Sequence, residues 1–364
     1  MAPRAWKRRG CGLGLLVSSV AVAGWALGAT AFRGFVIGQG SAPRDGGRGR
    51  SAIAGSRTPA RSLASAEAEA SDHRRPRRWM VEAGLLLGLS GACAALAAAG
   101  PVVVLGANGR TGRQCVRELL QRGEQVVATS RTGEFVDAGS CSPSQCKVLR
   151  ADVTKPESLK AAVAGARGVI FAASQSKEGG SAKAVDNLGL ISTAEACIAA
   201  KVKRLVVVSS GGVSRPDSPV YQFLNLFGNI MAEKIAGEDR VRALYAALPD
   251  SELGYTIVRP GGLTEDAARG AAAVELGQGD SSSGRISRQD VAGVSIAAID
   301  SEAARNTTFE CYYADTAKPL ASVGLSNILR QTTPDSGAAA DRRGARGATW
   351  EELLAGVAKN VPAA

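Results

Sequence analysis

Gly106, Gly109 and Gly112 stand three residues apart, directly after the apolar run Val102 to Leu105 and directly before a helical pattern. Glycines at that spacing let a backbone turn tightly and approach a ligand, while the N–H groups and positive dipole end of the next helix meet negative charge. Holding a pyrophosphate is the chemistry this suits. The spacing G-x-x-G-x-x-G differs from the dinucleotide fingerprint G-x-G-x-x-G, so the strand before it, the helix after it and a second strand ending near Arg131 carry the inference. Asn108, Arg110, Thr111 and Arg113 add polar and charged groups in and after the loop; the arginines could form charge-assisted bonds to phosphate.

Other candidates fall at the ends of later strand patterns. The second strand closes on Ala128-Thr129-Ser130-Arg131, with no acid before Glu134. An acid at this place accepts from ribose hydroxyls, whereas an arginine suits a 2′-phosphate, so Arg131 favours NADP(H) over NAD(H). Asp152 and Val153 after the third strand, and Ala172 and Ala173 after the fourth, fit an adenosine wall. Ser209 closes the fifth strand and Ser210 follows it, and Pro260 lies in Arg259-Pro260-Gly261-Gly262-Leu263 after the sixth.

These positions imply the elements that hold them. Short Val/Ile/Leu runs alternate with helical patterns from Pro101 onward, which predicts an α/β fold: a single Rossmann-type domain with a doubly wound parallel sheet. Strands are expected at 102–106, 125–129, 146–149, 168–172, 203–209, 254–258 and 308–312. Helices are expected at 111–122 with Gly123 as C-cap, 155–164 with Thr154 as N-cap, 182–200, 229–247 and 350–359. The domain is assigned to 101–330, with a linker and terminal helix in 331–364. Gly279 to Gly284 reads as a flexible loop.

Composition narrows the function. Residues 1–100 carry 14 Lys and Arg against 5 Asp and Glu, leaving 30 against 28 in the rest, so the chain's +11 charge belongs mostly to the leader. A basic surface for nucleic acid is therefore not expected on the folded part. The only histidine is His73, so no metal site is expected and zinc hydrolases and histidine triads are excluded from the domain. Beyond the leader stand Cys115, Cys141, Cys146, Cys197 and Cys311. Buried free thiols are the default, with Cys141 and Cys146 also spaced for a redox-sensitive pair.

The leader reads as a signal peptide, 1–31, a transit-like segment, 32–80, rich in Arg and Ser, and a second apolar stretch, 81–99. A Phe at the junction, Phe32, resembles the bipartite presequences that deliver proteins to the complex plastids of secondary algae. The alternative is a secreted or membrane-anchored protein, with membrane contact only through 81–99 if that stretch is retained.

Six segments in order resemble one family: Gly106-Ala-Asn-Gly-Arg-Thr-Gly112, Ala151-Asp-Val-Thr154, Val207-Val-Ser-Ser210, Asn229-Ile-Met-Ala-Glu-Lys234, Tyr255-Thr-Ile-Val-Arg-Pro-Gly-Gly-Leu263 and Ile286-Ser-Arg-Gln-Asp-Val291. Together they look like the atypical short-chain dehydrogenase/reductase family, NAD(P)-binding or NmrA-like branch. The likeness extends to plastid members related to the dehydrogenase-like stromal component of the chloroplast import machinery. It implies a Rossmann fold, NADP(H) as cofactor, Lys234 on the nicotinamide ribose and Ser210 as the reacting hydroxyl.

One departure bears on activity. Classical short-chain members use a Tyr-x-x-x-Lys pair in which lysine lowers the tyrosine pKa for proton transfer; here the place four residues before Lys234 is Ile230. Tyr221 is a conceivable substitute. Two readings follow: an NADPH-dependent oxidoreductase acting on a conjugated or quinone-like acceptor, or a non-catalytic NADPH-binding redox sensor or assembly factor with a plastid protein partner. Substrate contacts are expected in 174–186, 211–228 and 264–285, whose sequence names no substrate.

Overall fold

The computed structural model describes residues 100–248, 251–323 and 344–360. The expected leader, 1–99, and most of the expected linker lie outside them.

Eight strands form one sheet: β1 (Val102–Leu105), β2 (Val126–Ser130), β3 (Cys146–Arg150), β4 (Gly168–Phe171), β5 (Arg204–Val208), β6 (Gly254–Pro260), β8 (Val274–Gly277) and β11 (Thr307–Tyr313). Their order is β3-β2-β1-β4-β5-β6-β11-β8, all parallel except the last pair. Two small ladders add β7 (Gly262–Thr264) to β10 (Arg285–Ser287) and β9 (Ser282–Ser283) to β12 (Lys318–Pro319).

Parallel strands covered on both faces must be apolar on both, and β1 shows how the sequence meets that demand. Val102 and Val104 enter one core with Cys115, Val116 and Leu119 of α1 (Arg110–Gln121), whereas Val103 and Leu105 enter the other with Leu159 and Val163 of α2 (Pro156–Val163). The second core also takes α3, a π-helical stretch Lys183–Gly189 running into an α-helix Leu190–Ala199. After α4 (Pro219–Asn225) comes α5 (Ile230–Ala246), which covers the same face; α6 (Arg288–Asp300) and α7 (Trp350–Ala355) cover the first. The chain winds β1 to β3 outward on one side and β4 to β6 on the other. A crevice therefore opens beyond the carboxyl ends of β1 and β4, where ligands of such sheets bind.

One local expectation is met and three change. Gly123 closes α1 in a Schellman arrangement: Gly123 N–H donates to the Leu120 carbonyl and Glu124 N–H to that of Leu119, with Gly123 at φ +78°. Thr154 is not the N-cap of α2. Lys155 is, without a side-chain bond, because Thr154 donates both N–H and hydroxyl to Asp152. The last helix stops at Ala355 rather than 359, since Ala358 N–H donates to the Gln278 amide and Asn360 N–H to the Asn306 carbonyl. Gly279 to Gly284 is a pinned loop, with Asp280 fully buried and Ser282 and Ser283 in β9. The segment 344–360 also bridges to β8, where Leu276 and Ala345 exchange both backbone hydrogen bonds.

Candidate cofactor site and its surroundings

The crevice is a cavity of about 820 Å³. Its lining includes Gly106, Asn108, Gly109, Arg110 and Thr111 from the glycine loop, Arg131 after β2, Asp152 and Val153 after β3, and Ala172 and Ala173 after β4. Ten positions singled out by sequence thus meet at one place. Gly112 lies beneath the loop and not on the cavity wall. The loop has no room for a side chain at Gly106 or Gly112: a Cβ on Gly106, which sits at φ +82°, would lie 2.9 Å from the Ala173 backbone, and one on Gly112 would strike the Gly106 carbonyl. Such a cradle, opening into the twelve-residue α1, fits a dinucleotide's diphosphate.

Structure also shows what holds the cradle. Asn108 does not leave its amide to a ligand: Nδ2 donates to the Glu134 carbonyl at 2.9 Å, and Oδ1 accepts from Val136 N–H at 3.0 Å. It ties the glycine loop to the segment after β2. Arg150 Nε donates to the Arg131 carbonyl at 3.0 Å, fixing the backbone there, while the Arg131 guanidinium donates to the Glu178 carbonyl across the cavity mouth. Arg113 turns back to the Asn108 carbonyl and does not line the cavity. Cys141 forms a disulfide with Cys146, the first residue of β3; Cys115, Cys197 and Cys311 are free and buried, and burial pushes their thiols up, Cys115 to about 12.

The remaining candidates part company with the crevice. Ser210 and Pro260 line a second, smaller cavity of about 100 Å³ together with Val220, Leu224 and Val323. The turn 260–263 borders both: Pro260, Gly261 and Gly262 line the smaller cavity and Leu263 the larger. Ser209 and Lys234 line neither. Ser209 donates its hydroxyl to Glu238, and Lys234 Nζ donates to Asp186 Oδ1 at 2.7 Å. The Asp186 carboxylate is fully buried in the π-helical stretch of α3 and also accepts from the Ser174 hydroxyl at 2.7 Å and Gln175 N–H at 2.8 Å. Lys234 therefore braces the wall after β4 instead of reaching into the cavity, a departure from the role the family resemblance implies. Tyr221 lines neither cavity.

Sequence reading did not single out Asp186, Gln175, Leu263 or Arg288 within their segments; the last three line the crevice, as does Ser174 at the end of the wall after β4. It also missed a second buried cluster. Arg259 Nη2 lies 2.6 Å from Glu238, with Arg259 Nη1 3.5 Å from Glu310 and 3.9 Å from Asp280. Arg242 joins through Glu238 at 2.8 Å. Asp280 accepts from Gly212 N–H at 2.6 Å and from Ser214 N–H at 2.9 Å. The cluster thereby pins the loop that carries Ser210.

That cluster makes stability depend on pH. Burial, and then the Asp280 charge, push the Glu310 carboxyl up to about 7 against the lowering effect of Arg259. The unfolded carboxyl titrates near its ordinary value of 4.5, so between there and about 7 the native state holds the extra proton. The stabilisation is complete below 4.5 and is lost as pH rises through 7, amounting to about 3 kcal/mol at 1.36 kcal/mol per unit. Urea unfolding from pH 5 to 8 should show this falling limb in the wild type and not in Glu310→Gln; equal slopes in both would refute the assignment.

An uncharacterised chloroplast protein of Arabidopsis thaliana is 32% identical over 207 residues, covering 54% of this chain and 71% of that protein. Protein TIC 62 of Arabidopsis thaliana, also chloroplastic, is 30% identical over 181 residues, which are 44% of this chain but only 27% of TIC 62. Among solved structures, an oxidoreductase from Lactococcus lactis is 20% identical, with a TM-score of 0.49 over 60% of this chain and 92% of that one. The NAD(P)H-binding family profile matches residues 106–302, from the first glycine of the loop to beyond α6; this chain belongs to that family and binds NAD(P)H.

Proposed function

We propose that the protein is an NADPH-selective member of the atypical short-chain dehydrogenase/reductase branch, and that it reports NADPH occupancy to a plastid protein partner as a sensor or assembly factor. The observation that carries the non-catalytic reading is the Lys234 to Asp186 pair. With Ile230 in the tyrosine place and Lys234 committed to a buried carboxylate, the proton-transfer pair of a carbonyl reductase is missing at both members. Among the described residues lining the two cavities there is no Tyr, His or Cys. The test is to titrate the full chain with NADPH and NADH and then screen quinone, flavin and enone acceptors for NADPH oxidation. Tight binding without turnover is expected; turnover on any acceptor would sink the sensor reading.

NADPH selectivity rests on Arg131. Arg131 lines the crevice at the end of β2 with Ser130 and Thr132, and its guanidinium, one arm of which donates to the Glu178 carbonyl, has further N–H groups for charge-assisted bonds to a 2′-phosphate. Arg131→Ala should weaken NADPH about 10- to 100-fold, the worth of about 1.5–3 kcal/mol, and leave NADH almost unchanged. An unaltered NADPH preference would overturn the assignment.

The second reading, an oxidoreductase, is favoured by one feature. The smaller cavity places Ser210 among Val220, Leu224 and Pro260, a seat for a small apolar acceptor. Bound NADPH would supply hydride; the chain would orient the acceptor and offer a hydroxyl in Ser210, which now donates to the Gly211 carbonyl. For location, the leader assignments 1–31, 32–80 and 81–99 and the chloroplastic names of the relatives support a plastid, and the bipartite form supports the complex plastid of an alga.

A further inference from the structure

Two long helices begin at the crevice, and each begins with an arginine. Arg110 is the first residue of α1 and Arg288 the first of α6. A cation there is unfavourable against the positive dipole end unless an anion compensates it. Both guanidinium groups turn to one carboxylate: Glu265 Oε1 lies 3.3 Å from Arg110 Nη1 and 2.8 Å from Arg288 Nη1. Arg288 lines the crevice with the glycine loop and is buried, whereas Glu265 is about half exposed.

Two arginines share the one Glu265 carboxylate at this junction. Burial, Arg110 and Arg285 all lower the Arg288 pKa, and Glu265 alone opposes them. A dinucleotide's diphosphate brings two negative charges into the same crevice, one for each of the two arginines.

We propose that Arg288 is a diphosphate-holding residue and that Glu265 is its internal stand-in: NAD(P)H exchanges its diphosphate for the Glu265 carboxylate between Arg110 and Arg288. No bond is made or broken in the exchange. Glu265 follows β7 directly and precedes Arg269, which bridges to Asp315 at 2.9 Å, so its release alters the surface segment 265–270 and gives cofactor occupancy an outward sign. The inference rests on NAD(P)H occupying the crevice, and it deepens the occupancy reading without depending on whether the protein turns over.

Binding of NADPH, NADH and adenosine to the full chain tests it, with wild type, Glu265→Gln, Arg288→Met and Arg288→Lys compared by fluorescence or calorimetry. Glu265→Gln should tighten both dinucleotides about threefold or more, because the competing carboxylate is gone. Arg288→Met should weaken both by about 10- to 100-fold with the NADPH to NADH ratio unchanged, and Arg288→Lys should recover part of the loss. Adenosine, which has no diphosphate, should bind all four chains alike. The equal effect on the two dinucleotides separates Arg288 from Arg131, whose removal changes the ratio. Should Arg288→Met fail to fold, Glu265→Gln decides alone. Weaker dinucleotide binding by Glu265→Gln, or Arg288→Met binding within twofold of wild type, overturns the exchange while the cofactor site stands. A wild-type chain that binds neither dinucleotide overturns both.

Discussion

The full chain carrying Gly112→Ala should bind both NADPH and NADH about a hundredfold more weakly than wild type. The added methyl would run into the Gly106 carbonyl oxygen and lie 3.0 Å from its carbon and 3.2 Å from the Ala107 Cα. All three are backbone atoms that no rotamer change can move. Relief requires α1 to back away from the loop, which costs about 1–3 kcal/mol in packing and misaligns the N–H groups that face the diphosphate. Gly139→Ala is the control, since a Cβ there meets nothing within 4 Å. Isothermal titration of the two variants decides it: a Gly112→Ala chain with wild-type affinity would mean that the glycine loop is not the diphosphate cradle.

Asp186→Ala should destabilise the protein by about 3–5 kcal/mol, because it leaves the Lys234 ammonium buried with no carboxylate. The substitution also strands the Ser174 hydroxyl and Gln175 N–H, both of which donate to Asp186. Removing both charges in Asp186→Ala/Lys234→Met should restore a large part of the loss, since burying neither ion avoids the penalty that burying one incurs. Urea unfolding of both chains measures this directly. If the double variant is as unstable as the single one, the ion pair is not what holds α3 against α5. Closeness of these helices points the same way: a Cβ on Gly237 of α5 would fall 2.7 Å from the Asp186 carbonyl.

Much of the fold was legible because local sequence and tertiary demand agree. Val102 to Leu105 is apolar at every position, as a strand buried on both faces must be, and the glycines and Arg131 sit at strand ends that the pattern alone locates. What escaped was set by distance in space. Asp186 looks like one polar residue in a helical run; only the π-helical stretch and the approach of α5 bring it to Lys234, 48 positions later. Arg288 stands in a recognised motif, yet its meeting with Arg110 needs α6 to lie against α1. β8 has four residues, too few for a period, and its strand character comes from pairing with β11. Thr154 has a cap's spelling, but Asp152 two residues before takes its hydroxyl first.

The bridge between Leu276 and Ala345 covers the sheet edge at β8. β8 is the last strand of the sheet, and an uncovered edge offers its N–H and C=O groups to any passing strand. Residues 344–360 occupy that edge: Ala345 takes the Leu276 hydrogen bonds, Arg346 approaches Glu275, and Leu353 and Leu354 are buried in the core on one face. This last stretch is thus an edge guard. A fragment cut at residue 330, where the repeating strand and helix pattern ends, would keep the whole cofactor crevice yet expose a sticky strand beside an unfilled apolar hollow, and so would tend to aggregate rather than simply lose a tail.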